Sequence, residues 1–256
     1  MKTTFKHYIE NPAIEGSTSS QSEIIRKDLA QRFTNILLRA GGSIYYALYR
    51  DSKGNYYIHA KIPDEVIDGV TFDVVIEFQE TTELADKSVK TLSNYEIRFF
   101  SNDPAFMFTY TYTFNKHDLL IKNLKSKLSK RALTEPAKIK NPHNTIGVIK
   151  NFFFLYEFMK NNRLFYKMTW LNAAKISGAN AIRNIVSAED KFAELQQAGQ
   201  EHRAAKKAAV KPSPTTATSN AKSSSAVKYA SKVTSSVKKA PVVKMAKRAK
   251  YVSKKK

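Results

Sequence analysis

The chain has 256 residues, with 43 Lys or Arg against 22 Asp or Glu, a formal net charge of +21 and no cysteine. Disulfide staples and thiolate metal sites are thereby excluded, and the opening residues, which mix Lys2, Lys6, His7 and Glu10 with no apolar stretch behind them, do not read as a signal peptide. The most apolar run, Phe152–Phe158, is interrupted by Glu157 and falls well short of the roughly 20 residues that span a bilayer, which predicts a soluble protein without a membrane partner.

Taken in chain order, the first predicted element is a helix. Ser20 and Glu23 make a capping-box pattern, Ile25, Leu29, Phe33, Ile36 and Leu37 recur at helical spacing, and Gly41-Gly42 stops the run after Ala40. Period two follows. Ile44–Arg50 and Tyr56–Ile62 flank Asp51-Ser52-Lys53-Gly54, the chemistry of a hairpin. In the second run Tyr56, Ile58, Ala60 and Ile62 share one side and Tyr57, His59 and Lys61 the other; Thr71–Gln79 opposes Phe72, Val74, Ile76 and Phe78 to Asp73, Val75 and Glu77. Asn94–Phe100 and Ala105–Phe114 complete a five-stranded antiparallel meander with one packed and one wet face, Asp103-Pro104 marking the turn between them.

The remainder of the body reads as helical. Asn115 can cap a helix from Lys116 to about Leu133, Pro136 and Pro142 mark an extended link, and a helix from Thr145 to about Arg163 carries Phe152, Phe153, Phe154 and Leu155. Apolar side chains on nearly every side of that helix imply deep burial or a partner surface. After Ser177-Gly178 a last helix, Asn180 to about Ala209, is striped with Ile182, Ile185, Phe192 and Leu195.

From Arg203 to Lys256 there are sixteen Lys or Arg and no Asp or Glu, which leaves 27 basic against 22 acidic residues in the first 202. The division is therefore a globular body, 1–202, and a tail, 203–256, built from Lys, Ser, Thr, Ala and Val. Such a tail buries too little apolar surface to offset the entropy of ordering and is expected to be disordered. Its cations, Lys206, Lys207, Lys211, Lys222, Lys228, Lys232, Lys238, Lys239, Lys244, Lys247, Arg248, Lys250, Lys254, Lys255 and Lys256, suit a polyanion, above all nucleic acid. With about 6 to 10 phosphate contacts, affinity would fall by roughly 10³ to 10⁵ between 50 and 200 mM salt, with little sequence preference. A solubilising tail or targeting signal is the alternative. In its alternation of Lys with Ala, Ser, Pro and Val the segment resembles the tails of linker histones and of bacterial histone-like proteins, which implies a mode of binding only.

A second basic element lies within the body. Lys116, Lys122, Lys125, Lys127, Lys130, Arg131, Lys138 and Lys140 face only Asp118 and Glu135 in that stretch. Leu120, Leu124 and Leu128 would pin one helix side to the sheet and turn the lysines outward, so that Lys122, Lys125, Lys127, Lys130 and Arg131 extend the nucleic-acid footprint or form a solvated face. The aromatics Phe106, Phe108, Tyr110, Tyr112 and Phe114 alternate with Met107, Thr109, Thr111 and Thr113. They are either a stacking platform for single-stranded nucleic acid or, the favoured reading, core under the helices.

Enzymatic signals are thin. Pro63-Asp64 followed by Glu96-Ile97-Arg98 is faintly similar to restriction-endonuclease-like nucleases, but Arg98 stands where that pattern has Lys, and a permanently charged guanidinium cannot act as a base. Asp73 and Glu77 share a strand face. His7, His59, His117, His143 and His202 lack metal-ligand spacing, and no phosphate-binding glycine loop or nucleophile elbow occurs. No catalytic residue, metal or cofactor is expected.

The segment Asn94-Tyr95-Glu96-Ile97-Arg98-Phe99-Phe100-Ser101-Asn102-Asp103-Pro104-Ala105-Phe106-Met107-Phe108-Thr109-Tyr110, with Ala132-Leu133-Thr134-Glu135-Pro136 and Asn141-Pro142 downstream, resembles poorly characterised proteins of tailed bacteriophages. Over about fifty residues it implies a virion or genome-associated component, located in the virion or host cytoplasm, and transfers no functional residue. The whole reading is an α+β body: N-terminal helix, five-stranded meander and C-terminal helices. It docks on a protein partner, capsid or self, and bears a tail that holds nucleic acid, DNA in the first instance.

Overall fold

The computed structural model describes residues 3–10, 19–79, 91–166 and 181–209, with side chains omitted at 19–22, 181, 183 and 207–209. The Ser177-Gly178 break and the Lys-rich stretch from 210 onward lie outside these residues. Contacts divide the chain into Met1–Lys211 and Pro212–Lys256, and the fold described is that of the first part.

It is an α+β fold. A short helix α1 (Phe5–Glu10) and a long one, α2 (Ser19–Arg39), precede the strands β1 (Tyr45–Arg50), β2 (Tyr56–Pro63), β3 (Thr71–Gln79) and β4 (Glu96–Ser101). The strands form one antiparallel sheet in sequence order. Leu29, Phe33 and Ile36 bury the inner side of α2, whereas Ile25, expected on that side, is exposed.

The β1–β2 hairpin closes as its composition predicts. Gly54 adopts φ +88°, a left-handed conformation that a residue with a Cβ resists. Asp51 Oδ1 accepts from the backbone N–H groups of Lys53 and Asn55, each at 2.9 Å.

One face of the sheet carries Ile58, Ala60, Ile62, Val74, Ile76, Phe78, Ile97 and Phe99, all buried. Phe99 is the hub, with ring centroids 4.6 Å from both Tyr8 and Phe152 and 5.4 Å from Phe114. Burying such rings edge to face adds to the area term. The outer edge of β4 is covered: Ile97 N–H donates to Thr3 at 3.0 Å and Phe99 N–H to Leu119 at 2.8 Å. Closing an edge in this way removes a template for aggregation.

The fifth strand is absent. Residues 104–116 form two short helices, α3 (Pro104–Thr109) and α4 (Thr111–Lys116). Asp103 caps α3 by accepting from Ala105 N–H at 2.8 Å, and Pro104 occupies the first turn, where its missing donor costs nothing. The alternation that suggested a strand also places Phe106, Tyr110 and Phe114 at i, i+4 and i+8, a helical face. The tie is broken by the cap and by the packing of Phe106 and Phe114 against Phe152.

The single helix expected from Lys116 to Leu133 is broken as well. Asp118 takes φ +54°, which ends α4, and Leu119 N–H closes back on Phe114 O at 2.8 Å. A 3₁₀ turn, Lys122–Lys127, and helix α5 (Lys130–Thr134) follow. Helix α6 (Lys150–Asn161) is shorter than the expected Thr145–Arg163 and is deeply buried through Phe152, Phe153, Phe154, Leu155, Tyr156, Phe158 and Met159. After a 3₁₀ turn at Ala181–Asn184, helix α7 runs over Ala188–Ala209, beyond the body boundary expected at residue 202.

Candidate nucleic-acid interface

The basic element between 116 and 140 stands on buried leucines. Leu120, Leu124 and Leu128 are in the core, and Lys122, Lys130 and Arg131 are exposed, with Lys125 and Lys127 half-buried. Three of the five cations expected to turn outward are thus exposed and two are half-buried, the leucine anchoring being kept without a single helix because 3₁₀ and α5 segments can hold apolar residues at similar intervals. Asn115 does not cap a helix here. It lies inside α4, accepts from Lys125 Nζ at 2.8 Å and donates to Leu133 O at 3.1 Å, tying α4 to the basic segment. Arg131 donates to Glu135 at 2.8 Å on the exposed side of α5. Such a surface pair is nearly neutral for stability and leaves the cation accessible.

Beside this element runs a groove of about 580 Å³ between α3, α5, the 136–140 link and α7. Phe108, Phe192, Ala132 and Pro136 are among the apolar residues lining it, and Arg131, Lys138 and Lys140 also line it. The link is anchored by Asn141, which is buried. Its Oδ1 accepts from Thr145 N–H at 2.9 Å, and its Nδ2 donates to Thr145 O at 2.9 Å and to Thr109 O of α3 at 3.4 Å. Of the five aromatics expected on one side, Phe106 and Phe114 are core, Tyr110 and Tyr112 are half-buried, and Phe108 is 53% exposed and edge-on to Phe192 at 5.3 Å.

Along the tail, Arg203 and Lys206 are exposed on the last turns of α7. The side chain of Lys207 and all cations from Lys211 to Lys256 fall outside the described residues.

The residues weighed for metal-dependent hydrolysis do not converge. Asp64 follows Pro63, which pairs with Thr71 at one end of β3, and Glu96 pairs with Gln79 at the other, about 27 Å away by strand rise. Asp64 is engaged locally, accepting from the N–H groups of Val66 and Ile67 at 2.8 Å. Arg98 donates to Asp118 Oδ2 at 2.7 Å. No group of three or more His, Asp or Glu able to hold a metal occurs among the described residues, and none of their helices is long and apolar enough to cross a membrane.

The face of the sheet expected to be wet is instead a buried polar layer. His59 Nε2 lies 2.8 Å from Asp73 Oδ1, and Asn102 donates to Asp73 Oδ2 at 2.9 Å while accepting from Asp73 N–H at 2.8 Å. Two strand steps along, Tyr57 hydroxyl is 2.6 Å from Glu77 Oε1 and 3.0 Å from Asp51 Oδ2. Burial pushes the Glu77 carboxyl above its ordinary range, against the pull of Tyr57 and Arg98. Burial also acts to raise Asp51, but hydrogen bonds from Asn55, Tyr57 and Lys53 outweigh it and hold that carboxyl low. The single Tyr57 hydroxyl hydrogen lies within bonding distance of both carboxylates, which therefore compete for it. The sequence signal for this layer was the alternation of Tyr57 and His59 with Asp73 and Glu77 in neighbouring strands. What it lacked was the burial.

No protein family, curated protein or solved structure matches the chain.

Proposed function

We propose that this chain is a non-enzymatic, sequence-indifferent nucleic-acid-binding protein whose folded part docks on a protein partner. One observation carries the reading: sixteen of 43 cations fall after His202 with no carboxylate among them. Coulomb repulsion within such a run is relieved by phosphates, and counterion release drives the association. The exposure of Lys122, Lys130 and Arg131 supports a footprint that continues onto the body. The bacteriophage resemblance of residues 94–142 narrows the setting to a virion or the host cytoplasm, with capsid or a second copy as the docking partner. DNA is the polyanion expected there. Strand β1 suits docking, since no backbone bond to its outer edge occurs among the described residues, and open edges pair with other chains.

The test replaces Lys244, Lys247, Arg248, Lys250, Lys254, Lys255 and Lys256 by Gln in the full chain and compares binding to duplex DNA across a salt series. The slope of log affinity against log salt should shrink by roughly 0.7 to 0.9 for each phosphate contact removed. An unchanged slope refutes the assignment to the tail. Mass spectrometry of purified particles tests the virion setting.

A further inference from the structure

We infer that the groove between α3, α5 and α7 is a binding site for single-stranded nucleic acid, in which an unpaired base lies against Phe108 and Phe192 while flanking phosphates meet Lys138, Lys140 and Arg131. The inference rests on the nucleic-acid reading above and adds to it a second site, in the folded part, that distinguishes strandedness, which a run of cations by charge alone does not.

Three observations carry it. The first is the unsatisfied aromatic surface: Phe108 stays 53% exposed although its neighbours Phe106 and Met107 are buried in the core, and Ile139 across the groove is 90% exposed. Other apolar side chains are exposed singly, Leu38 and Val66 among them, but Phe108 and Ile139 line one groove together with Phe192, and it is apolar surface gathered in a groove that suits a ligand. The second is the charge around it. Lys138 and Lys140 are exposed and make no ion pair among the described residues, and the one lining carboxylate, Glu135, is taken up by Arg131. A phosphate backbone complements that rim, whereas a basic or neutral apolar peptide would leave the lysines unused, and an acidic peptide would offer Phe108 no planar ring of a base to stack on.

The third is size and rigidity. About 580 Å³ lies within the range of small-ligand sites, enough for a base with its sugar. Its walls are fixed by Asn141 holding the link to α3 and by the Phe108–Phe192 edge contact. A base within a duplex has both faces stacked and cannot enter. Only an unpaired one can offer a ring face to an aromatic side chain, and such stacking is tolerant of sequence.

The experiment compares the full chain with Phe108→Ala and, separately, with Lys138→Glu/Lys140→Glu, measuring affinity for a single-stranded oligonucleotide and a duplex of equal length. About 200 mM salt is used, where the electrostatic contribution of the tail is much reduced. Phe108→Ala should weaken single-strand binding by about five- to 100-fold and leave duplex binding within twofold. The double charge reversal, at exposed positions that leave the core intact, should likewise weaken the single strand more than the duplex. Photocrosslinking of the wild-type chain to an iodouracil-containing oligonucleotide should place adducts in the peptides bearing Phe108 or Phe192. Adducts confined to residues after 203, or equal losses on both forms of DNA, overturn this inference and leave the tail reading standing. Failure of the wild type to bind either form at about 20 mM salt overturns both.

Discussion

Glu65 shows how much a single side chain organises. Its Oε1 accepts from Arg32 Nε at 2.7 Å, and its Oε2 accepts from Arg32 Nη2 at 2.6 Å and from Lys150 Nζ at 3.0 Å. The bond from Arg32, then Lys150, holds the carboxyl down to about 2 against the burial that opposes it. One carboxylate thus clips α2, the β2–β3 connection and α6 together. Because its folded value is depressed, its stabilisation is complete above the ordinary carboxyl range and is lost as pH falls towards about 2. The bidentate geometry is strong but the triad is partly solvated, so Glu65→Gln should cost about 1–2 kcal/mol at pH 7. In urea titrations the gap from wild type should close as pH is lowered from 5 to 2. Glu77 has the opposite sign. With its folded value raised, the native state holds the proton longer than the unfolded chain, so this residue's contribution declines as pH rises from 4.5 through the folded value. Glu77→Gln should remove that decline, and midpoints measured from pH 4 to 8 will show it as a flatter profile. Tyr57→Phe should retain the fold and deprive Asp51 and Glu77 of their shared partner.

At the scale of elements, the two helices at 104–116 are the instructive case. Nine residues in which aromatics alternate satisfy both a strand and a helix, and neither period decides between them. The deciding contacts are specific. Asp103 caps the first turn of α3 and also accepts from Asn151 Nδ2 of α6 at 2.6 Å. Asp103→Ala removes both and should cost about 1–3 kcal/mol, measured by thermal unfolding, with Asp103→Asn recovering part of the cap. Had the segment been a strand, the same substitution at a turn would be nearly silent. The sheet teaches a related lesson. Alternation in β2 and β3 correctly divided Ile58, Ala60, Val74 and Ile76 from Tyr57, His59, Asp73 and Glu77, yet Val75 and Phe100 on the polar side are buried too. A half-polar face was compatible with water or with cover, and the hydrogen-bonded pairs His59–Asp73 and Tyr57–Glu77 make cover tolerable.

Over the whole molecule, charge and fold are separable properties. The excess of cations after His202 was legible at once, because net charge along a chain is additive and independent of packing. The full protein should accordingly show duplex affinity falling by roughly 10³ to 10⁵ between 50 and 200 mM salt if about 6 to 10 phosphates are contacted, measured by fluorescence anisotropy. A flat salt profile would separate the cations from function. Composition and periodicity were enough for the α+β class, for α2, for the hairpin with Gly54 at its turn, for four strands in meander order and for burial of the Phe152–Phe158 run, since each depends on local spacing or on side-chain hydrophobicity. Tertiary structure alone decided the fate of residues 104–133, the burial of the polar side of the sheet, and the groove that leaves Phe108 exposed between Lys138, Lys140 and Phe192. Each of those arises where segments distant in sequence meet, and the free energy of that meeting, in rings packed on Phe152 and amides bonded to Asp103 and Asn141, is written in no local window of the chain.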